Sequence, residues 1–458
     1  MRKSLIVMGA LLLALLGGWY HHQHHHFNPN TYINQVDVSG LTTESALKKL
    51  EKVKINNQLY VDNQLIYQGK KLNTGVTPSD SDYLKQLLKK QASFFPNHKI
   101  KKFYVPAMQK NFERNQKLEQ CLTAYLKSEN HKRIRPVNAY ATYTDGQVKI
   151  IKEKKGDAYD IAKMLQTLKR RENQGTIKVK SQYLQPTTSK SKAVQKQAQF
   201  LKALLAQKAT YKVQGKTYDI KAKDVITSAS YQSGKLSLDT NNLTGKIMKI
   251  NHSQATFGKE YLFKTSHGTK IRVKNSTYGW KLAPAKATHR ILTALIKHRR
   301  ASLDAQKDLY GTGFYSTGTG YKHLSNHGLG TTYAEVSLTK QHAWFYKAGH
   351  LVASVPVVTG NVADDHSETP KGVYYIGYKQ APTTLRGRHT DGTPYASPVK
   401  YWAPFTVDGC GFHDASWRHD WSSKAYLTNG SNGCVNIHPE QMSNIYHALE
   451  PGEPVVIY

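Results

Sequence analysis

The sequence predicts a multidomain chain: an N-terminal membrane anchor with a histidine-rich linker (1–27), two α+β modules (28–190 and 191–331), and a mostly-β C-terminal domain (332–458). Three observations predict it. The chain has 458 residues, too many for one hydrophobic core. Arg2 and Lys3 precede an uncharged apolar run over residues 5–20, the pattern of a secretory signal or a membrane anchor. From Tyr333 onward, helix-period segments give way to closely spaced alternating ones.

The apolar run is short against the roughly 17–25 residues of a spanning helix. No small-x-small cleavage site follows it; Trp19, Tyr20 and a histidine cluster come instead. The pattern therefore favours an uncleaved anchor with the body outside, and secretion after signal cleavage is the alternative. His21, His22, His24, His25 and His26 read as a juxtamembrane linker without fixed geometry rather than as a metal site.

In the first module, Val36 and Val38 alternate as a short strand, Gly40 turns, and Thr42 or Thr43 caps a helix with Ala46, Leu47 and Leu50 on one face. A basic amphipathic helix is expected around 83–88. A weak repeat runs through both modules. Its first copy has a strand at 148–151, Gly156 and Tyr159, then a helix bearing Ile161, Met164, Leu165 and Leu168. The second has Ile271 and Val273, then Tyr278, Gly279 and Trp280, then a helix bearing Ile291, Leu292, Leu295 and Ile296. Both helices end in basic clusters, at 169–171 and 297–300. The Ser-, Thr- and Lys-rich stretch 185–197, opened by Pro186, reads as the linker between modules.

The terminal domain offers strands at Val336 and Leu338, at Ala343, Phe345 and Tyr346, and at Val352, Val355, Val357 and Val358. Pro370-Lys371-Gly372 turns into another strand over 373–376. One helix is clear: Met442, Ile445, Tyr446 and Leu449 share a face, and Pro451-Gly452 ends it. Residues 455–458 close the chain as a strand.

Lys and Arg number 65 against 31 Asp and Glu, a formal net charge of +34. Such an excess favours a polyanionic partner. Export argues against nucleic acid and for anionic cell-wall polymers. Three cysteines, Cys121, Cys410 and Cys434, are too few and too scattered for a disulfide framework. No His or carboxylate cluster in the terminal domain has metal-ligand spacing, and His413, His419 and His438 form no motif, so neither metal nor cofactor is expected.

The chemistry concentrates in Gly430-Ser431-Asn432-Gly433-Cys434-Val435-Asn436. A cysteine after glycine can present its sulfur on a tight turn, with neighbouring N–H groups converging as an oxyanion hole. A thiol with pKa near 8.5 needs a base or a cationic neighbour. His413, in Gly411-Phe412-His413-Asp414-Ala415, can supply one, and an imidazolium–thiolate pair would lower the thiol pKa. Spacing alone leaves open that Cys434 is a small buried residue. Cys410 stands three residues before His413 and so faces the other side of a strand; it reads as core, or as a partner for Cys434. Cys121, in a Leu118/Leu122 pattern, reads as buried.

The segment resembles the signature of the YkuD-type L,D-transpeptidases, a histidine followed by Ser-His-Gly-Cys and then Asn or Arg. It matches at His413, Ser431, Gly433, Cys434 and Asn436. The strings GFHDASWR and NGSNGCVN look especially like the Gram-positive wall enzymes; the TPKG of 369–372 and the segment 398–405 also fit. The preceding modules resemble, more weakly, the family's peptidoglycan-binding modules.

The resemblance implies a β-sandwich-like domain that takes peptidoglycan stem peptides. Cys434 would attack the carbonyl of the third stem residue, with His413 as base and then acid. The N–H groups of Gly433 and Cys434 would hold the oxyanion, Ser431 would brace the loop, and Asn436 would bond loop or substrate. Tyr395, Tyr401 and Trp417 would line the donor pocket. The product would be a 3→3 cross-link, and carbapenems would acylate the enzyme. The alternatives are an L,D-carboxypeptidase with water as acceptor and a non-catalytic wall-binding scaffold. One position departs from the pattern: Asn432 stands where the family has His. Asn can orient a loop or contact substrate but cannot titrate near neutrality.

Overall fold

The apolar run folds as a helix, Arg2–His25, in the computed structural model, which describes residues 2–106, 111–232, 234–297, 300–388 and 392–458. Its uncharged part, residues 5–20, rises about 24 Å, short of a bilayer core of about 30 Å. Among the described residues no helix is long and apolar enough to cross a membrane. The helix also runs through His21, His22, His24 and His25 and stops one residue before His26, which corrects the linker reading. Residues four apart meet on one helical face, so His22 stacks on His26 at 3.9 Å and His21 meets His25 at 4.2 Å.

Two compact units are distinguished: Met1–Tyr140 with Ile151–Val194, and Ala141–Ile150 with Gln195–Tyr458. In the first, Thr42 caps the helix Thr43–Lys52 by accepting from Ser45 N. Ala46 and Leu50 then bury against Leu84 and Leu87 of the helix Ser81–Gln91 and against Ile33 and Val38. A second core joins the strands Lys54–Val61 and Thr176–Val179 to the helices Phe112–Asn130 and Ile161–Lys169. Leu118, Leu122 and Leu126 supply the buried stripe of the longer helix, and Cys121 beside them is only half-buried.

The repeat does not persist as packing. In the first copy, nearly all of the strand Gln147–Ile151 belongs to the second unit and the helix Ile161–Lys169 to the first. In the second copy, Val273 and Ile291 enter different cores. The linker reading also shortens, because the helix Lys192–Leu205 starts inside 185–197 and buries Val194, Ala198, Leu201 and Leu204. His298 and Arg299 of the second basic cluster lie outside the described residues.

The C-terminal part of the second unit is mostly β. Eight strands run in the order Gly372–Tyr375, Pro454–Ile457, Tyr333–Ser337, His342–Lys347, His350–Val358, Val435–Ile437, Gly411–Asp414, Trp402–Pro404. The strand His350–Val358 changes partner along its length. Residues 350–356 pair with His342–Lys347, and Val357 and Val358 pair with Ile437 and Asn436. The two halves share one core, where Phe345 of the first meets Phe412 of the second at 5.3 Å. The helix Pro439–Ala448 adds Met442 and Ile445 to it. Outside this sheet stands a hairpin, Thr383–Arg388 with Pro394–Val399, in which Leu385 faces Ser397 and Gly387 faces Tyr395.

Candidate active site

Two adjacent parallel strands set the site. Gly411–Asp414 pairs with Val435–Ile437 so that His413 lies opposite Asn436. Cys434 immediately precedes the second strand, and its side chain borders the same cavity as His413 and Asn436.

The loop before Cys434 is pinned from several sides. Ser431 N donates to Thr359 O and Asn361 N to Ser431 O, both at 2.9 Å. Thr369 Oγ1 donates to Gly433 O at 2.9 Å. Ser431 Oγ donates to Cys434 O at 2.5 Å. Gly433 has φ of +100°, where an L side chain is strained, and a Cβ added there would lie 2.9 Å from Cys410 Sγ. Cys410 is thus half-buried, with its sulfur against the loop that carries the other thiol.

His413 is 3% exposed, its ring between Trp402 and Trp417 at 5.9 and 5.7 Å. Its Nδ1 faces Asp414 O at 2.8 Å and its Nε2 faces Asn436 Nδ2 at 3.0 Å. A carbonyl only accepts and an amide nitrogen only donates, so the proton sits on Nδ1 and the lone pair on Nε2. Burial holds the imidazole below its ordinary pKa, against the raising effect of Asp414. The Asp414 carboxylate, also buried, accepts from Lys400 N at 3.1 Å and Tyr401 N at 2.8 Å.

At rest the Cys434 thiol donates to Gly409 O at 3.4 Å. Burial, and then Cys410, push its pKa up to about 12, with the Gly411 amide pulling the other way. Each shift acts against the charged form of its group.

Two cavities meet at Cys434. One, of about 670 Å³, runs past His366, Tyr378, Trp402 and Asp408. The other, of about 300 Å³, is lined by His413, Trp417, Arg418, Ser431 and Asn436. Leu385, Tyr395, Asn432 and Cys434 border both. The hairpin thus hangs over the sulfur, presenting Leu385 and Tyr395, and a Cβ on Gly387 would collide with the Tyr395 ring. Burial raises the Tyr395 hydroxyl pKa, and the thiols of Cys434 and Cys410 add to the shift.

Of the residues expected at the site, Tyr395, His413, Trp417, Ser431, Asn432, Gly433, Cys434 and Asn436 come together here. Tyr401 does not. Its ring packs on Tyr446 at 5.0 Å and its hydroxyl accepts from Ser443 Oγ at 3.1 Å, which makes it part of the support for the terminal helix. Sequence reasoning missed Arg418, whose Nε donates to Asn436 Oδ1 at 3.0 Å and whose Nη1 donates to Asn429 O at 2.6 Å. Its place five residues after His413, ending the GFHDASWR string, was the available signal. It also missed the carbonyls of Gly409 and Asp414 and the side chain of Leu385.

Residues 331–457 match the family model described as YkuD, the L,D-transpeptidase catalytic domain. Comparison with curated proteins gives no match. Among solved structures, a variant of the Enterococcus faecium L,D-transpeptidase is 29% identical, covering 57% of this chain and 100% of its own, with a TM-score of 0.44. The catalytic domain of E. faecium L,D-transpeptidase is 38% identical, covering 30% of this chain and 99% of its own, with a TM-score of 0.26. The E. faecium domain acylated by ertapenem is 39% identical, covering 28% and 97%, with a TM-score of 0.26. The family model and the identity across the catalytic domain carry the assignment, and the superpositions add nothing to it. Through its C-terminal domain the chain belongs to the YkuD family of L,D-transpeptidases.

Proposed function

We propose that the chain forms 3→3 peptidoglycan cross-links through an acyl-enzyme on Cys434. The observation that carries this reading is the meeting of two cavities at one sulfur, with the His413 imidazole lining one of them. A hydrolase needs one substrate channel and water; a transpeptidase needs room for two peptides.

The donor stem occupies one cavity and brings the carbonyl of its third residue to Cys434. The thiol swings from Gly409 O toward His413 and yields its proton to Nε2 as Asn436 gives way. Sulfur adds to the carbonyl, and the N–H groups of Gly433 and Cys434 hold the oxyanion. The imidazolium returns the proton to the departing D-Ala amine. An acceptor side-chain amine from the other cavity attacks the thioester, loses its proton through His413, and restores the thiol. Ser431 keeps the loop rigid, and Tyr395 and Trp417 contact the stems. Asn432 orients substrate without titrating. The E. faecium domain is acylated by ertapenem, and carbapenems acylate Cys434 here by the same route.

The basic balance of +34 supports anionic wall polymers as partners. The basic tip and apolar helix support attachment to the outer face of a membrane, with secretion after cleavage as the alternative. The modules before residue 332 serve as peptidoglycan-binding elements.

The test is mass spectrometry of the purified chain with a synthetic stem tetrapeptide, with and without an acceptor amine. A Cys434 thioester and an amine-dependent cross-linked product support the reading. Release of tripeptide alone would make it a carboxypeptidase. Cross-linking unchanged in Cys434→Ala would remove the nucleophile assignment and leave a scaffold.

A further inference from the structure

Beside the end of the first helix lies an apolar, strongly basic collar. Trp19 Nε1 donates to Phe94 O at 3.1 Å, and the Tyr20 ring lies 6.1 Å from that of Phe94. Phe94 meets Phe95 edge-on at 5.0 Å. Phe95 is 72% exposed and Ile100 is 68% exposed, and Trp19, Tyr20 and Phe94 are also exposed. The loop leaves the helix Ser81–Gln91 and returns to the strand Lys101–Phe103. Residues 83–106 carry Lys85, Lys89, Lys90, Lys99, Lys101 and Lys102 and no carboxylate.

Each half of this pattern narrows the partner. Two adjacent phenylalanines and an isoleucine held in water stand against the hydrophobic effect unless something apolar covers them. Lys85 pairs with Asp82 at 3.0 Å; the other five lysines have no ion pair among the described residues and ask for an anionic partner. A soluble polyanion answers the lysines and leaves the aromatic rings in water. A bilayer with anionic headgroups answers both, since aromatic side chains favour the headgroup level and lysines reach the phosphates above it. The position fits, because the collar is hydrogen-bonded to the base of a helix whose described apolar residues, Val7 to Leu16, are exposed.

We propose that Trp19, Tyr20, Phe94, Phe95 and Ile100, ringed by the lysines of 85–102, form a lipid-contact surface that seats the first unit on an anionic bilayer. The inference rests on the reading that the first helix meets a membrane. It is independent of the chemistry at Cys434.

The experiment is partitioning of the full chain onto vesicles of phosphatidylglycerol and phosphatidylcholine, for the wild type, for Phe94→Ser/Phe95→Ser, and for a variant with Lys89, Lys90, Lys99 and Lys102 changed to Gln. These side chains are exposed, so the variants keep their circular dichroism and their acylation by a carbapenem. The serine variant partitions about tenfold more weakly to either vesicle, reflecting partial apolar burial of two rings. The glutamine variant loses the preference for phosphatidylglycerol. In Phe95→Trp, lipid brominated near the headgroup quenches the added indole. Equal partitioning of serine variant and wild type, no quenching, or no vesicle binding at all would overturn the proposal. So would a soluble glycerol-phosphate polymer that binds wild type and serine variant equally while vesicles bind neither. Absence of cross-linked product with vesicle binding intact would strike the transpeptidase reading alone.

Discussion

Asn436 donates through Nδ2 to Nε2 of His413 across 3.0 Å, and Arg418 donates through Nε to the other end of the same amide, Oδ1, also across 3.0 Å. Arg418 therefore decides which way the amide points, and the amide decides which imidazole nitrogen keeps its lone pair. With Asp414 O taking the Nδ1 proton, the ring is fixed as a base before substrate arrives. In this arrangement Asn436 acts on the protonation state of His413, and Arg418 acts on Asn436.

Asn436→Asp follows from that chain. A carboxylate cannot donate to Nε2 and instead favours a proton there, so the His413 pKa rises and the free base becomes scarcer at neutral pH. Arg418 moderates the shift without cancelling it. Acylation by a carbapenem should fall about tenfold or more at neutral pH, below the roughly 10²–10⁴-fold that a general base contributes, because only part of the His413 population is protonated. The rate should recover as the pH is raised. Stopped-flow acylation against pH checks this. Asn436→Ala serves as the control, because it removes the donor without adding charge. A midpoint unmoved in Asn436→Asp would break the link between the two residues.

The upward push of burial on the Cys434 thiol predicts a sluggish nucleophile in the free protein. With the Cys434 pKa pushed up to about 12 and that of His413 held low, the thiolate is scarce at neutrality. Alkylation of Cys434 by iodoacetamide should be slow at pH 7 and climb about tenfold per pH unit through the alkaline range, since the thiolate is the nucleophile. Acylation by substrate escapes this limit because His413 takes the proton during attack. Mass spectrometry of peptides after timed alkylation reads the rate. A fast plateau near neutrality would point to an imidazolium–thiolate pair instead.

Burial of neutral His413 also sets a pH dependence of stability. Its folded pKa lies below the ordinary value near 6.5, so below that pH the unfolded chain binds a proton the folded chain refuses. The stability held by the neutral ring is fully present above the unfolded value and is lost as pH falls beneath it. The slope reaches about 1.4 kcal/mol per pH unit. Carboxylates contribute in the same direction, so the comparison is wild type against His413→Asn. Urea unfolding at pH 7 and pH 5 should show a steeper acid loss in the wild type. Equal losses would mean that His413 titrates in the folded chain as it does in the unfolded one.

How much of this was legible in the sequence depends on the range of the interaction. His413, Cys434 and Asn436 could be found because each lies in a short string whose chemistry is local. The terminal helix was legible from the spacing of Met442 and Ile445, and the strands around Phe345 and Val355 from alternation. Gly409 O and Asp414 O were not, since every residue has a carbonyl and only tertiary structure aims one at a thiol or a ring. Tyr401 was misplaced because an aromatic residue near a site looks the same whether it faces substrate or, as here, Tyr446 and Ser443. The linker at 185–197 failed at its end, where Lys and Gln between Val194, Ala198 and Leu201 mark the solvent face of a helix.

Gly433 and Cys410 make the sharpest test of the loop. Gly433 takes a backbone conformation that costs an L-residue about 1 kcal/mol or more, and a Cβ there would lie 2.9 Å from Cys410 Sγ. Gly433→Ala should therefore lose stability twice over, by strain and by overlap, the second worth about 1–3 kcal/mol in a packed site. The loop must shift to relieve the contact, and it carries the nucleophile, so acylation should drop about a hundredfold, as a misplacement near 1 Å commonly costs. Cys410→Ala alone removes a half-buried sulfur that the reaction does not use, and it should leave the rate within a few-fold. Combined with Gly433→Ala, it removes the overlap but not the strain. The double variant should therefore recover part of the stability and part of the rate, and remain below Cys410→Ala in both. Denaturant unfolding and carbapenem acylation of the four proteins close the cycle. If the double variant is no better than Gly433→Ala, the sulfur does not shape the turn. If Gly433→Ala reacts at the wild-type rate, the conformation of that turn does not set the position of the thiol.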